Sequence, residues 1–239
     1  MSYEQLCPEN VIDRQELRDR EQVFEDRAEA GRALAEMMDA LQGTDALVLG
    51  VPAGGVPVAA PLAEELGLEL DVAVVSKITL PWNTEAGYGA VAFDGTVRIN
   101  EPLRERLGLS DEDVEEGIAA TREKVERRVR ELRGERALPD ISGRTVVLCD
   151  DGLASGFTMM TAVEAVRGAD PAQLIVAVPT AHTQSVERIV EDVDCVYCCN
   201  LRGGMRFAVA SAYRHWRDVP LEEAQALLEE HGRTAGGAD

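Results

Sequence analysis

Lysine is almost absent from this chain: of 24 basic residues only Lys77 and Lys124 are lysines, and the rest are arginines. Acidic residues number 44, which leaves a formal net charge of -20. Such a surface has no basic footprint for nonspecific contact with DNA or RNA. An acidic, lysine-poor surface is expected of a halophile's protein, because multimolar salt screens its self-repulsion. Aromatic residues make up only 4%, so small aliphatic side chains must fill the core. No apolar run reaches the ~20 residues of a membrane span. The opening MSYEQLCPEN carries no basic-then-apolar leader. The five cysteines are odd in number, in a chain long enough to fold without staples. That pattern is expected in a reducing cytoplasm.

What the 239 residues do supply is 45% hydrophobic material, enough for one large domain or one domain with a small cap. A stripe of Phe24, Ala28, Leu34, Met38 and Leu41 predicts a helix over 13–41, ended by Gly43. The apolar run Ala46–Val51 leads into a Gly/Pro loop, Pro52–Pro57, followed by a helix over Val58–Leu66 and a stop at Gly67. Leu70–Val75 fits a buried strand, and Ala90–Ile99 alternates around Asp94-Gly95 as a hairpin does. Ser110 opens a long helix with Asp111, Glu112 and Asp113 crowded into its first turn. Val114, Ile118, Val125, Val129 and Leu132 mark its apolar face. That face exceeds what one solvated helix requires, so a homodimer is expected. Strands are expected at Thr145–Cys149, Leu174–Val178 and Cys195–Cys199. Helices are expected from Met159, around Val186–Val190 and over Pro220–Glu230. Strands alternating with helices make an α/β fold, a Rossmann-like parallel sheet flanked by helices, whose ligand sits at the carboxyl ends of the strands.

The chemistry concentrates in RTVVLCDDGLASGFTMM, Arg144 to Met160. An apolar strand delivers two adjacent carboxylates, Asp150 and Asp151. A small polar loop follows, Ala154-Ser155-Gly156-Phe157-Thr158, and then a helix. Small residues let backbone N–H groups converge at a helix N-terminus, so the loop can hold a phosphate. The Ser155 and Thr158 hydroxyls can donate to the same anion. The carboxylates accept from vicinal hydroxyls or, through water, face a hard cation. Phosphate donors beside hydroxyl acceptors describe a sugar-phosphate pocket; the competing reading is an ordinary strand–turn–helix with two solvated aspartates.

Val146–Thr158 resembles the 5-phosphoribosyl 1-diphosphate (PRPP) motif of the type I phosphoribosyltransferases: four apolar residues, two acidic ones, then a small Ala-Thr/Ser-Gly-x-Thr loop. The resemblance extends to the branch of predicted phosphoribosyltransferases of unassigned substrate. It runs through Phe24-Glu25-Asp26-Arg27, Pro52–Ala59, Ser76-Lys77, Glu85…Gly89-Ala90, Glu126-Arg127-Arg128 and Phe207-Ala208-Val209…Tyr213. It implies the family's fold, with a small cap or hood and a long inserted helix. The division implied is an N-terminal extension over 1–23 and a transferase-like domain over 24–219, with an insert at about 78–136. A C-terminal helix and tail over 220–239 complete it.

The roles implied follow residue by residue. Asp150 and Asp151 would bind the ribose hydroxyls, with Mg²⁺ reaching the pair through the diphosphate, and Ala154–Thr158 would cradle the 5-phosphate. Ala53, Gly54 and Gly55 would form the diphosphate loop after Pro52, and Lys77 would reach the diphosphate as a point charge. Residues 78–100 stand where the family's mobile loop stands. Glu85 within them is either a base that orients the acceptor or a surface carboxylate. The implied activity is Mg²⁺-dependent transfer of phosphoribosyl from PRPP to a nitrogenous, nucleobase-like acceptor, with release of diphosphate. Ala53 and Ser76 depart from the pattern, which has basic residues there. They keep open an alternative, a catalytically weak PRPP- or nucleotide-binding regulatory protein. Arg127 or Arg128 either reaches in from the long helix or belongs to a solvated face.

Other candidates carry less. Cys195-x-x-Cys198 with Cys199 lacks a second ligand pair at zinc spacing, and buried thiols are the expectation there and at Cys149. His182 is expected at the surface, and His215 and His231 carry no motif. Phe207, Tyr213 and Trp216 either line a base-recognition hood or pack on one another. Residues 1–23 are read as charged and helix-like.

Overall fold

The computed structural model describes residues 10–80, 82–204 and 206–235. Six strands make one parallel sheet: β1 (Val11–Asp13), β2 (Leu47–Gly50), β3 (Glu69–Val72), β7 (Thr145–Cys149), β8 (Gln173–His182) and β9 (Cys195–Arg202), in the order β1-β9-β8-β7-β2-β3. The central strands are buried on both faces, which explains their unbroken runs of Val, Leu, Ile and Ala. A second, antiparallel sheet holds β4 (Val75–Leu80), β5 (Asn83–Ala92) and β6 (Val97–Ile99).

Helices cover the large sheet on both sides. On one face lie α1 (Arg27–Ala35), α2 (Val56–Leu66) and α7 (Leu221–Ala235), with α4 (Asp111–Arg133) joining the same apolar cluster. On the other lie α5 (Phe157–Arg167) and α6 (Thr183–Ile189). The short α3 (Glu101–Leu107) has no counterpart in the sequence reading. α1 and α2 approach so closely that a Cβ on Gly31 would sit 2.7 Å from Pro61 Cγ. Among the described residues no helix is long and apolar enough to cross a membrane.

Several expectations need correction. The helix over 13–41 is three pieces: β1 with a 3-10 turn at Gln15–Leu17, α1, and a 3-10 turn at Asp39–Leu41. Asp26 caps α1 by accepting from the Glu29 N–H, and Phe24 lies outside it, bridged to Tyr213. The described part of the segment before residue 24 is thus an edge strand on β9, rather than a helix-like extension. The run Leu70–Val75 spans two strands in different sheets, because the chain leaves β3 through Ala73-Val74 without any turn residue. The Asp94-Gly95 hairpin forms between β5 and β6, with Gly95 at φ 92°. The last helix ends at Ala235, beyond Glu230.

The long helix starts as expected, with a reciprocal capping box between Ser110 and Asp113. Its apolar face is consumed within the chain: Val114, Val125 and Leu132 are buried in the same cluster as Ile78, Tyr88 and Leu228. That face needs no second copy of the chain to cover it. The helix is pinned at its end by Arg133, whose Nε donates to Asp71 Oδ1 at 2.9 Å and whose Nη2 donates to the Val72 carbonyl. The two side chains are only 5% and 3% exposed. Replacing Arg133 by Met strands the Asp71 carboxylate in the interior, and chemical denaturation should show a loss of about 3–5 kcal/mol.

Candidate functional site

β2 and β7 are neighbours, and their last residues, Gly50 and Cys149, are register partners. The loops that follow therefore start side by side at the carboxyl edge of the sheet. Here the connections diverge: β2 is followed outward by β3 on one side, and β7 by β8 and β9 on the other. Open parallel sheets bind ligands at such a switch point.

The two loops leave no room for side chains between them. A Cβ on Gly54 would land on the Asp151 carboxylate, and one on Gly55 would sit 2.6 Å from the carbonyl oxygens of Cys149 and Val51. The Pro52–Ala53 peptide is cis. Ala53 packs against the core cluster instead of facing the crevice.

Asp150 and Asp151 stand partly buried at the end of β7. The Asp151 N–H donates to Asp150 Oδ1 at 2.9 Å. Asp151 Oδ2 accepts from Arg27 Nε at 2.9 Å and lies 2.8 Å from its Nη2. Arg27 is itself held from behind: Nη1 donates to the Arg217 carbonyl at 2.9 Å, and the guanidinium carbon lies 3.9 Å from the Trp216 ring centroid. Tyr213 packs between Phe24 and Trp216 and donates its hydroxyl to the Asp151 carbonyl at 2.6 Å. The Tyr213–Trp216 pair is thus the packing that supports the carboxylates from below. Burial pushes the Asp150 carboxyl well above its usual range, and the adjacent Asp151 charge pushes it the same way. Burial also raises Asp151, opposed by the Arg27 charge.

Beyond them the loop is fastened through its carbonyls. Ser185 Oγ donates to Ala154 O, and Arg188 Nη1 donates to Ser155 O at 3.0 Å. Gly156 takes φ 77° as the N-cap of α5, so Phe157 and Thr158 already belong to the first helical turn, two residues ahead of the expected start at Met159. Phe157 N–H points at Ser155 Oγ, 3.4 Å away. Among the described residues the amides of Ser155, Gly156 and Thr158 have no internal acceptor. Free amides at a helix N-terminus form a cradle for an anion.

One cavity of about 420 Å³ gathers Gly54, Lys77, Asp150, Asp151 and Ala154–Thr158. Gly55 lies beneath it as the N-cap of α2, and Ala53 is turned away. Glu85 lies in β5 with its side chain outside the described residues. Lys124, which the sequence reading left without a role, lines the space, as does Arg128, which that reading left open together with Arg127 and whose Nη1 donates to the buried Ser76 Oγ at 3.4 Å. The signal for Lys124 was the scarcity of lysine. Arg27 stood in a segment that carries the family resemblance, with no role of its own.

Among the described residues no group of three His, Cys, Asp or Glu side chains could hold a metal. Cys149, Cys195, Cys198 and Cys199 are free and buried, and burial pushes Cys199 up to about 12. Cys7 lies outside the described residues. His182 Nε2 donates to the Gly204 carbonyl, 3.0 Å away, and its Nδ1 caps α6 by accepting from Gln184 N–H.

Residues 19–213 match the family model of the phosphoribosyl transferase domain. The chain belongs to this family, one of pentosyl-transferring enzymes. It is 32% identical over 207 residues to proteins of two Mycobacterium tuberculosis strains, provisionally named phosphoribosyl transferases. That match covers 87% of the chain but 46% of the relatives, so the chain spans about half the length of the curated relatives it matches. Among solved structures, the TT1426 protein of Thermus thermophilus is 35% identical, with a TM-score of 0.71, covering 87% of this chain and 98% of that one. The match agrees with the α/β architecture of a parallel sheet flanked by helices, in a family member of unassigned substrate.

The geometry assigns different weights to the two aspartates. A carboxyl whose pKa is raised by folding contributes stability below its unfolded value, about 3.9, and loses that contribution as pH rises through the folded value. Asp150→Asn keeps the acceptor for Asp151 N–H and removes the charge, so its melting temperature at pH 7 should equal or exceed wild type. The difference should vanish below about pH 4. Asp151→Asn breaks the Arg27 pair and should cost about 1–3 kcal/mol. Differential scanning calorimetry across pH checks both.

Proposed function

We propose that the chain transfers the phosphoribosyl group of PRPP to a nitrogenous, nucleobase-like acceptor and releases diphosphate. The observation that carries this reading is that an acceptor pair for vicinal hydroxyls and an amide cradle for a phosphate open into the same cavity, which Lys77 also lines. The spacing suits a sugar phosphate: Asp150 accepts from ribose hydroxyls while Ser155, Gly156 and Thr158 receive the 5-phosphate. Gly54 brings bare backbone to the edge where the diphosphate departs.

The bond from the anomeric carbon to the diphosphate oxygen breaks through an oxocarbenium-like state, and the electron pair leaves on the diphosphate. The acceptor nitrogen forms the new bond to the anomeric carbon and gives up its proton to solvent water. Asp150, charged and close to the sugar, stabilises the positive character of the ring, and Lys77 stabilises the charge that gathers on the leaving group. Two carboxylates, one already paired with Arg27, do not make a resident metal cage. Asp150 would be the protein ligand for a Mg²⁺ carried by the diphosphate, and that ion would supply positive charge to the leaving group.

Calorimetric titration of PRPP with Mg²⁺, in multimolar KCl, tests this reading. Binding by the wild type that disappears in Asp150→Asn/Asp151→Asn supports it, and a folded wild type that does not bind PRPP overturns it. Thr158→Val removes one hydroxyl donor to the 5-phosphate and should weaken ribose 5-phosphate by about 10- to 100-fold, the worth of a hydrogen bond to a charged group. The uncharged Ala53 and Ser76 favour a second reading, binding without turnover. Diphosphate release in the presence of purines, pyrimidines or other amines separates the two.

A further inference from the structure

Both lysines of the chain face one cavity. Lys77 on β4 and Lys124 and Arg128 on α4 line the same space as Asp150–Met159. Lys124 and Arg128 stand at i and i+4, on one stripe of the helix, where like charges repel. Although the chain carries 44 acidic residues, none of those described comes within ion-pair distance of these three cations; ion pairs gather elsewhere, as at Arg27, Arg133 and Arg144. The Arg128 guanidinium is partly buried and, among the described residues, bonds to the neutral Ser76 hydroxyl. Burial accordingly holds it below its ordinary value, only weakly opposed by Glu131.

The helix that carries them is rigidly seated. It is capped by Ser110 and Asp113 and pinned at its far end by the Arg133–Asp71 pair. In between, Gly117 packs so tightly on β4 and β5 that a Cβ there would sit 2.9 Å from Ile78 Cγ2 and collide with the Tyr88 hydroxyl. Three cations that form no ion pair among the described residues, on elements that line one cavity with a phosphate cradle, complement a second, more highly charged phosphate group.

We propose that Lys124 and Arg128, with Lys77, form a preformed wall that binds the diphosphate group, so that α4 grips the leaving group independently of any loop closure. This rests on the phosphoribosyl reading of the cavity. Lys124 and Arg128 also supply the positive charge that Ala53 and Ser76 do not.

The test is calorimetric titration of inorganic diphosphate with Mg²⁺, in the same high-salt buffer, against wild type and variants of matched melting temperature. Arg128→Gln should weaken diphosphate about tenfold, and Lys124→Gln/Arg128→Gln about a hundredfold, since each cation contributes charge-assisted hydrogen bonds. Arg127→Gln, at an exposed neighbour on the same helix, should change it less than about twofold. Arg128→Lys, which keeps the charge, should recover most of the affinity, whereas a loss as large as that of Arg128→Gln would assign the effect to packing and overturn the proposal. Ribose 5-phosphate should bind wild type and double variant alike, because it uses the Ala154–Thr158 cradle. Wild type that fails to bind diphosphate, or a double variant that binds it like wild type, overturns the wall; PRPP binding retained in that double variant would leave the functional reading standing. Diphosphate bound and lost as expected, by a protein that ignores PRPP and ribose 5-phosphate, would sustain the wall and sink the functional reading.

Discussion

Gly54 and Gly55 pass against Asp150 and Asp151 with no space for a side chain, and the geometry of the crevice depends on that contact. It is set by strand pairing, since Gly50 and Cys149 are register partners and the loops must leave together. The register has no freedom to slip. A one-residue shift would turn Val48 and Val147 away from one core and Leu49 and Leu148 away from the other. The apolar sheet thus fixes, to within a bond length, how near bare backbone comes to two carboxylates. The aspartates then divide the work. Asp151 is tied to Arg27, Tyr213 and, through them, Trp216. Asp150 forms no ion pair among the described residues, and the Arg27 and Lys77 charges reach it only at longer range.

The electrostatics of the crevice differ in kind from those of the surface. At high ionic strength the Debye length shrinks to about 3 Å, so most of the exposed charge that gives the chain its -20 is screened. Partly buried groups are screened much less. Arg128 and the aspartate pair therefore keep their influence in conditions where the acidic surface loses most of its field. An acidic exterior and a cavity walled by cations are compatible, because they act over different distances.

The site was legible where its chemistry is local in sequence. The strand, the two aspartates and the small loop run without interruption from Thr145 to Thr158, so spacing alone gave their order of strand, loop and helix, missing only that α5 begins at Phe157. The helix over 13–41 was misread because a 3.6-residue stripe persists through Phe24 and Leu41. Strand β1 owes its form to pairing with β9, almost two hundred positions away. Leu70–Val75 looked like one strand because nothing in Ala73-Val74 announces the passage from one sheet to another. Arg27, Lys124 and Arg128 belong to helices whose folded positions bring them to the crevice, and helical periodicity cannot say what a polar face will meet. Only the poverty of lysine set Lys124 apart, and it did so as a count rather than a place.

A fixed wall of cations has a mechanistic consequence different from that of a closing loop. Groups that bind substrate and transition state equally tighten binding without speeding the chemical step. The leaving diphosphate, however, gains negative charge as its bond to the anomeric carbon stretches, so the same fixed cations attract it more strongly at the transition state than before. Preorganisation makes that gain available without reorienting water or side chains as charge moves. Asp150 faces the opposite change at the ribose ring, where positive character grows. On the proposed reading, an anion near the sugar and cations near the departing group are thus both best satisfied at one point on the reaction path.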